Sequence, residues 1–454
     1  MTILEAAAQL KAGALTSAGL VEKTLVAIAE KDGKLNSFIT VLDVHSRQRA
    51  KALDSEMAQG KYRGPLHGVP VAVKDIFHMK GARTTGGSKL FEDFVSSFDA
   101  AVVERLEAAG AVIIGKTNLH ELAYGVTSNN PHFGAVHNPH NLDCVPGGSS
   151  GGSGAAVAAG IVPMAMGTDT GGSIRIPAAF CGTVGLKPTF GRVSKFGCMP
   201  LGLSLDHMGP LTMTVRDTAI TMNAIAGHDP RNPNTSARPV ESYLPPDNAS
   251  LAGVRIGWPV NFYFDALDSE VRRSVENARA VAKSLGATVI EIPVPDIAAL
   301  NTISRVILMS EASAVLERYM GDRAKIGADV LALLDQGRLL PATHYVNAQR
   351  ARRVMQAEFR QLFERVDCFF TPASPIPAPR IDQKTVRIDG VEEDVRLAAT
   401  RYVRGINALG LPALSLPCGR SAAGLPIGLQ IVGRGFAEKL LIQVGAALET
   451  AVLA

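Results

Sequence analysis

The chain has 454 residues, of which 46% are hydrophobic and 19% charged, with a net charge of +4. That composition can bury a large core and excludes a disordered chain, and its 44 glycines show no G-X-Y period that would make it fibrous. The basic residues are scattered apart from Arg350, Arg352 and Arg353, which read as a solvated helix face, so no nucleic-acid partner is expected.

At the N-terminus, Glu5 and Lys11 interrupt MTILEAAAQLK at helical spacing, which excludes a secretory h-region. The longest mostly apolar stretch, 155–167, is too short to span a bilayer and contains Gly160 and Pro163. A cytoplasmic protein without a membrane partner is expected. Residues 1–60 carry apolar positions three and four apart and predict an outer helical layer. From residue 65, short β-branched runs alternate with helices: VPVAV at 69–73, helix DAAVVERLEAAG, strand AVIIG at 111–115, a small-residue helix after 150, then PMAMG. Such alternation predicts an α/β fold around a twisted, mixed, mostly parallel sheet with helices on both faces. Further on come the amphipathic helix DSEVRRSVENARAVAKSL, the strand run GATVIEIPVPD and a mostly helical stretch at 300–366. VDCFFTP, LPALSLP and PIGLQIVG then read as strands, the last two forming a hairpin. No Pro/Gly/Ser-rich linker divides the chain, so 1–454 is read as one large domain.

Several short patterns carry little. The five cysteines are widely and irregularly spaced without CxxC, so they read as reduced and structural. Gly110 to Thr117 satisfies GxxxxGK[ST], but a helix precedes the first glycine and a strand fills the gap, the wrong context for a phosphate loop at Lys116. His132, His137 and His140 match no metal-ligand spacing, and His120-Glu121 lacks a second helical histidine. No metal or other cofactor is expected.

Residues 147–178, GGSSGGSGAAVAAGIVPMAMGTDTGGSIRIPA, concentrate small residues around two serine clusters. In DTGGSIR, Gly171 and Gly172 can turn consecutive N–H groups into one concavity beside the Ser173 hydroxyl, a nest suited to an oxyanion. By itself Gly-Gly-Ser reads first as a tight turn opening a helix. Two other features weigh against that reading. GGSSGG at 147–152 supplies a second serine cluster, and Lys74 ends the apolar run VPVAVK, where burial would drive its amine toward neutrality. Two serines and a neutral lysine suffice for nucleophile, proton relay and base without a histidine.

GGSSGGSGAAVAAG…MGTDTGGSIRIPAAFCGTVGLKPT resembles the signature of the amidase signature family. GPLHGVPVAVKD, GAVIIGKTNLHELAYG, SLDHMGPLTMTVRD and GLPALSLPCG…GLPIGLQIVG are similar to its other segments, in order. The resemblance spans about 10–450 and is weakest between 230 and 340. It divides the chain into the helical layer 1–60, a signature core at 65–215, a variable region at 230–366 and completing strands and helix at 367–454. It implies Ser173 as nucleophile, Lys74 as base, and Ser149 as relay, held by a cis peptide after Gly148. The N–H groups of Thr170, Gly171, Gly172 and Ser173 would hold the oxyanion. A buried Asp169–Arg175 pair would support the loop, and Tyr124 with Gly125, Ser149 and Thr170 would contact substrate.

The implied activity is cleavage of C–N bonds in small amides or carbamates through an acyl-enzyme, by a monomer or homodimer. A related function is that of the A subunit of the tRNA-dependent glutamine amidotransferase, which supplies ammonia within a complex. Lys74-Asp75-Ile76-Phe77, AYGVTSNN, and the lack of a KRR segment in 320–345 lean toward the free-standing amidases.

Overall fold

VPVAVK, AVIIGK and PMAMGTD, the apolar runs singled out in the sequence, become three adjacent, fully buried strands in one wing of the main sheet. In chain order the strands are β1 (Phe38–Val41), β2 (Pro70–Lys74), β3 (Val112–Thr117), the two-residue β4 (Asn129–Asn130) and β5 (Gly134–Ala135), β6 (Met164–Asp169), β7 (Val184–Lys187) and β8 (His207–Thr212). They continue with β9 (Arg255–Pro259), β10 (Thr288–Ile292), β11 (Cys368–Pro372), β12 (Thr385–Ile388), β13 (Val391–Asp394), β14 (Ala413–Arg420) and β15 (Pro426–Gly433). The computed structural model describes residues 1–247 and 250–452.

Eleven strands form one sheet in the order β1-β3-β2-β6-β8-β7-β14-β15-β11-β9-β10. The sheet is mixed, as expected. Parallel pairing occupies the two wings, where β2 lies between β3 and β6, and β9 between β10 and β11. From β6 to β11 the centre runs antiparallel. Within that centre β14 and β15 form the expected hairpin, joined by a five-residue connection too short for a crossover. The main apolar core extends from Ile3 to Leu448, so both ends of the chain close on the same sheet.

The N-terminal layer contains the helices Ile3–Lys11, Ser17–Leu35 and Asp43–Ala58, and also the edge strand β1, which the helical reading of 1–60 overlooks. Asn36, left-handed at φ 51°, stops the second helix and releases the β-branched FITV to pair with β3. A second correction concerns the helix Ala342–Arg365. Arg350 and Arg353 are exposed, but Arg352 turns inward and donates to Ser204 Oγ and the Ser204 carbonyl, each at 3.0 Å. It anchors the helix.

Candidate active site

All five residues of β2 are buried, so its last residue carries an amine into the core. Because β2 neighbours β6, Lys74 Nζ lies 2.9 Å from Thr168 Oγ1 on that strand, and it lies 2.7 Å from Ser149 Oγ. No carboxylate is within ion-pair distance of it among the described residues. Burial therefore dominates and lowers the Lys74 pKa from 10.5 to about 7, against a smaller upward pull from the surrounding Cys198, Asp169 and Asp206.

Ser149 is completely buried and follows a cis Gly148–Ser149 peptide bond. A Cβ on Gly148 would stand 2.8 Å from the Val126 carbonyl carbon and 2.9 Å from the Ser128 nitrogen, so only glycine lets the 126–128 backbone close over this turn. The Ser149 carbonyl accepts from the His120 N–H at 3.1 Å, and the Ser150 N–H donates to the Ser173 carbonyl at 3.2 Å. The second of these bonds joins the two serine loops. The Ser149 and Ser173 hydroxyls share no hydrogen bond among the described residues, and Ser173, 6% exposed, opens onto a cavity.

Ser173 lies between β6 and the helix Arg175–Cys181. Asp169 organises that turn. Its carboxylate accepts from the Gly172 N–H at 2.8 Å and the Ile174 N–H at 3.1 Å, and forms a two-pronged pair with Arg175 at 2.8 and 2.9 Å. Both side chains of the pair are fully buried. Burial pushes the Asp169 pKa up, but Arg175 outweighs it and holds the carboxyl below the usual range. One expected role changes here. Gly172, read as an oxyanion donor, spends its N–H on Asp169, which leaves the N–H groups of Thr170, Gly171 and Ser173 without a protein acceptor among the described residues.

The cavity over Ser173 measures about 230 Å³, small beside typical ligand sites of roughly 300–1,000 Å³. Tyr124, Gly125, Thr170, Gly171 and Ser173 line it, with Leu201, Leu308, Met309 and Leu333 as apolar wall. Ser149, expected to touch substrate, instead lies beneath the wall. A Cβ on Gly125 would overlap the His120 ring at 2.1 Å, so glycine there lets the cavity floor pack. The Tyr124 hydroxyl is buried without a partner.

The other candidates have protein partners. His132 bonds Glu121 at 2.9 Å, His140 the Cys181 carbonyl at 2.9 Å, and His137 the Leu142 carbonyl at 2.6 Å. Lys116 forms a buried ion pair with Asp75 at 2.8 Å from within β3. All five cysteines are free thiols. Sequence reading misses Thr168, Asp206, Asn407, Arg305 and Arg404. Thr168 is within its reach, standing beside Asp169 in MGTDTGGS. Asp206 accepts from Thr170 Oγ1 at 2.6 Å, and Asn407 donates to Asp169 Oδ1 at 2.8 Å, contacts that only tertiary pairing creates.

The family model for amidases matches residues 19–442. The chain belongs to the amidase signature family. Within that family it is 42% identical to the A subunit of the glutamyl-tRNA(Gln) amidotransferase of Anaeromyxobacter sp. (strain K), over 98% of this chain and 95% of that protein. Its counterpart in Chromohalobacter salexigens is 41% identical, with the same shares covered. Among solved amidase-family structures, a bacterial aryl acylamidase superposes with a TM-score of 0.91 at 28% identity, covering 99% of this chain and 96% of that one. A chain from a vestigial protein complex, studied for the origins of an s-triazine catabolic enzyme, gives 0.95 at 34%, covering 99% and 98%. The A subunit of the Thermotoga maritima glutamyl-tRNA(Gln) amidotransferase gives 0.82 at 33%, covering 99% and 94%. No helix of the described residues is long and apolar enough to cross a membrane.

Proposed function

We propose that this chain is a free-standing hydrolase of C–N bonds in small amides, working through an acyl-enzyme on Ser173. The observation that carries this reading is the buried Lys74 amine, 2.7 Å from Ser149 Oγ with a pKa near 7, in a family whose chemistry is amide cleavage. Neutral Lys74 accepts the Ser149 proton as Ser149 takes that of Ser173, and Ser173 Oγ bonds to the substrate carbonyl carbon. The Ser149–Ser173 hydrogen bond is made in the reacting complex, as such contacts often tighten only there. N–H groups of Gly171 and Ser173, with Thr170 beside them, hold the oxyanion. Collapse breaks the C–N bond, the amine leaves with the proton returned through Ser149, and water then hydrolyses the acyl ester to free the acid and Ser173. Carbamates fit the same steps.

A second reading, the A subunit of an amidotransferase, is favoured by the 42% identity to such proteins over nearly the whole chain. Lys74-Asp75-Ile76-Phe77, AYGVTSNN and the lack of a KRR segment in 320–345 support the free-standing enzyme. The deciding experiment assays the isolated chain against anilides, carbamates, simple amides and free glutamine. Turnover of small amides by the chain alone, abolished in Ser173→Ala, is expected; glutamine hydrolysis appearing only in a complex with partner proteins would establish the second reading.

A further inference from the structure

The cavity above Ser173 holds more positive charge than its walls neutralise. Five charged residues line it, and three have partners: Asp329 bonds His120 at 3.0 Å, and Asp394 pairs with Arg396 at 3.3 Å. Arg305 and Arg404 form no ion pair and donate no side-chain hydrogen bond among the described residues. Arg404 Nε is buried and unpartnered. Its stem runs along the nucleophile loop, where a Cβ on Gly171 would stand 3.9 Å from Arg404 Cγ. Burial and the adjacent Arg305 lower the Arg404 pKa to about 10, which still leaves it a cation at neutral pH. The buried, unpartnered Tyr124 hydroxyl lies in the field of both guanidiniums.

Buried polar groups are nearly always satisfied, and each exception calls for a ligand or a function. Here Arg404 Nε and the Tyr124 phenol are buried beside a reaction cavity with no acceptor of their own, and the exposed guanidinium-bearing Arg305 lines the same cavity without an ion-pair partner among the described residues. We infer that the substrate is anionic: an amide carrying a carboxylate, which Arg404 and Arg305 hold with the Tyr124 hydroxyl while its carbonyl sits over Ser173. This deepens the hydrolase reading and rests on it for the reaction, though not for the binding. The small cavity and the closeness of Arg404 to Gly171 favour a short spacer between carboxylate and amide. A free ammonium on the same substrate would face the two cations, so the ω-amide of a simple dicarboxylic acid suits the site better than an α-amino acid amide.

The test compares ammonia release from succinamate and glutaramate with release from butyramide, their uncharged counterpart. A preference for the carboxylates on the order of 10²-fold or more in kcat/KM is expected, because the uncharged analogue leaves buried donors unpaired. In Arg404→Met and Arg305→Met that ratio should fall by about 10–100-fold, the range for a charged hydrogen bond. An undiminished ratio in both variants, or a wild-type ratio near one, overturns the assignment. Calorimetric binding of glutarate to Ser173→Ala, with and without Arg404→Met, separates the two readings. Glutarate binding that needs Arg404, with no turnover of any amide, leaves the anion site standing and removes the hydrolase; turnover of butyramide without glutarate binding does the reverse.

Discussion

A primary amine held against two hydroxyl oxygens, with no carboxylate to pair with, is an acid poised to lose its proton near neutrality. At the residue scale this gives the reaction a pH signature. In the proposed mechanism Lys74 acts as the base and must be neutral, so kcat/KM should fall about tenfold per unit as pH drops below about 7 and level off above it, measured on one amide across pH 5–9. Lys74→Ala should lose about 10²–10⁴-fold at pH 7.5. Lys74→Arg should not rescue it, since a guanidinium keeps its proton. Unchanged acid limbs in these variants would remove Lys74 from proton transfer. Ser173, Ser149 and Lys74 can be singled out in the sequence because they stand in motifs that resemble a family signature, although Gly-Gly-Ser by itself reads first as a turn. The role of Gly172 is not legible there, because a run of small residues suggests a uniform nest, whereas Asp169, three residues earlier, claims one of its donors.

At the scale of elements, the turn from β6 into the helix Arg175–Cys181 depends on Gly172, whose φ of +121° disfavours a side chain and whose added Cβ would meet Val403 Cγ2 at 2.4 Å. Gly172→Ala should displace the neighbouring N–H donors and cost about 10²–10³-fold in kcat while far-ultraviolet circular dichroism stays unchanged. A different junction governs pH-dependent stability. The helix Glu438–Val452 brings Glu449 beside the helix Val215–Ile225, where it accepts from the Val215 N–H at 2.9 Å. Burial raises its pKa from 4.5 to about 7, and the charge of Asp217 adds to that. The native state then binds more protons than the unfolded one between these values, so stability falls as pH rises through that window. Glu449→Gln should stabilise by about 1–3 kcal/mol at pH 8, discounted because the group is partly exposed, and make no difference at pH 4, by urea titration. Nothing in the sequence signals this coupling, which joins helices more than two hundred residues apart.

For the molecule as a whole, Arg175 is the point where distant parts of the chain are tied together. Its guanidinium donates to Asp169 in β6, to Gln430 Oε1 in β15 at 2.7 Å, and to the Val403 carbonyl at 2.9 Å and Asn407 Oδ1 at 2.6 Å around the helix Arg404–Leu409. The alternation of strands and helices makes the sheet and its hairpin legible, and the Asp169–Arg175 pair is anticipated by the family resemblance. Its outer partners are not, since they arrive from 228 to 255 residues away, Val403 and Asn407 from around a helix and Gln430 from an antiparallel central strand. Replacing Arg175 by Met leaves Asp169 a buried charge without its cation. Breaking such a pair costs about 3–5 kcal/mol, a large share of the stability of a typical domain, so Arg175→Met should unfold at markedly lower urea. Asp169→Asn/Arg175→Met removes the stranded charge and should recover part of that loss, although hydrolysis stays low because the amide no longer draws the Gly172 and Ile174 N–H groups as a carboxylate does. If the double variant is no more stable than Arg175→Met alone, the cost lies in the bonds to Gln430, Val403 and Asn407, and Arg175 acts as a tie between strands more than as the counter-charge of Asp169.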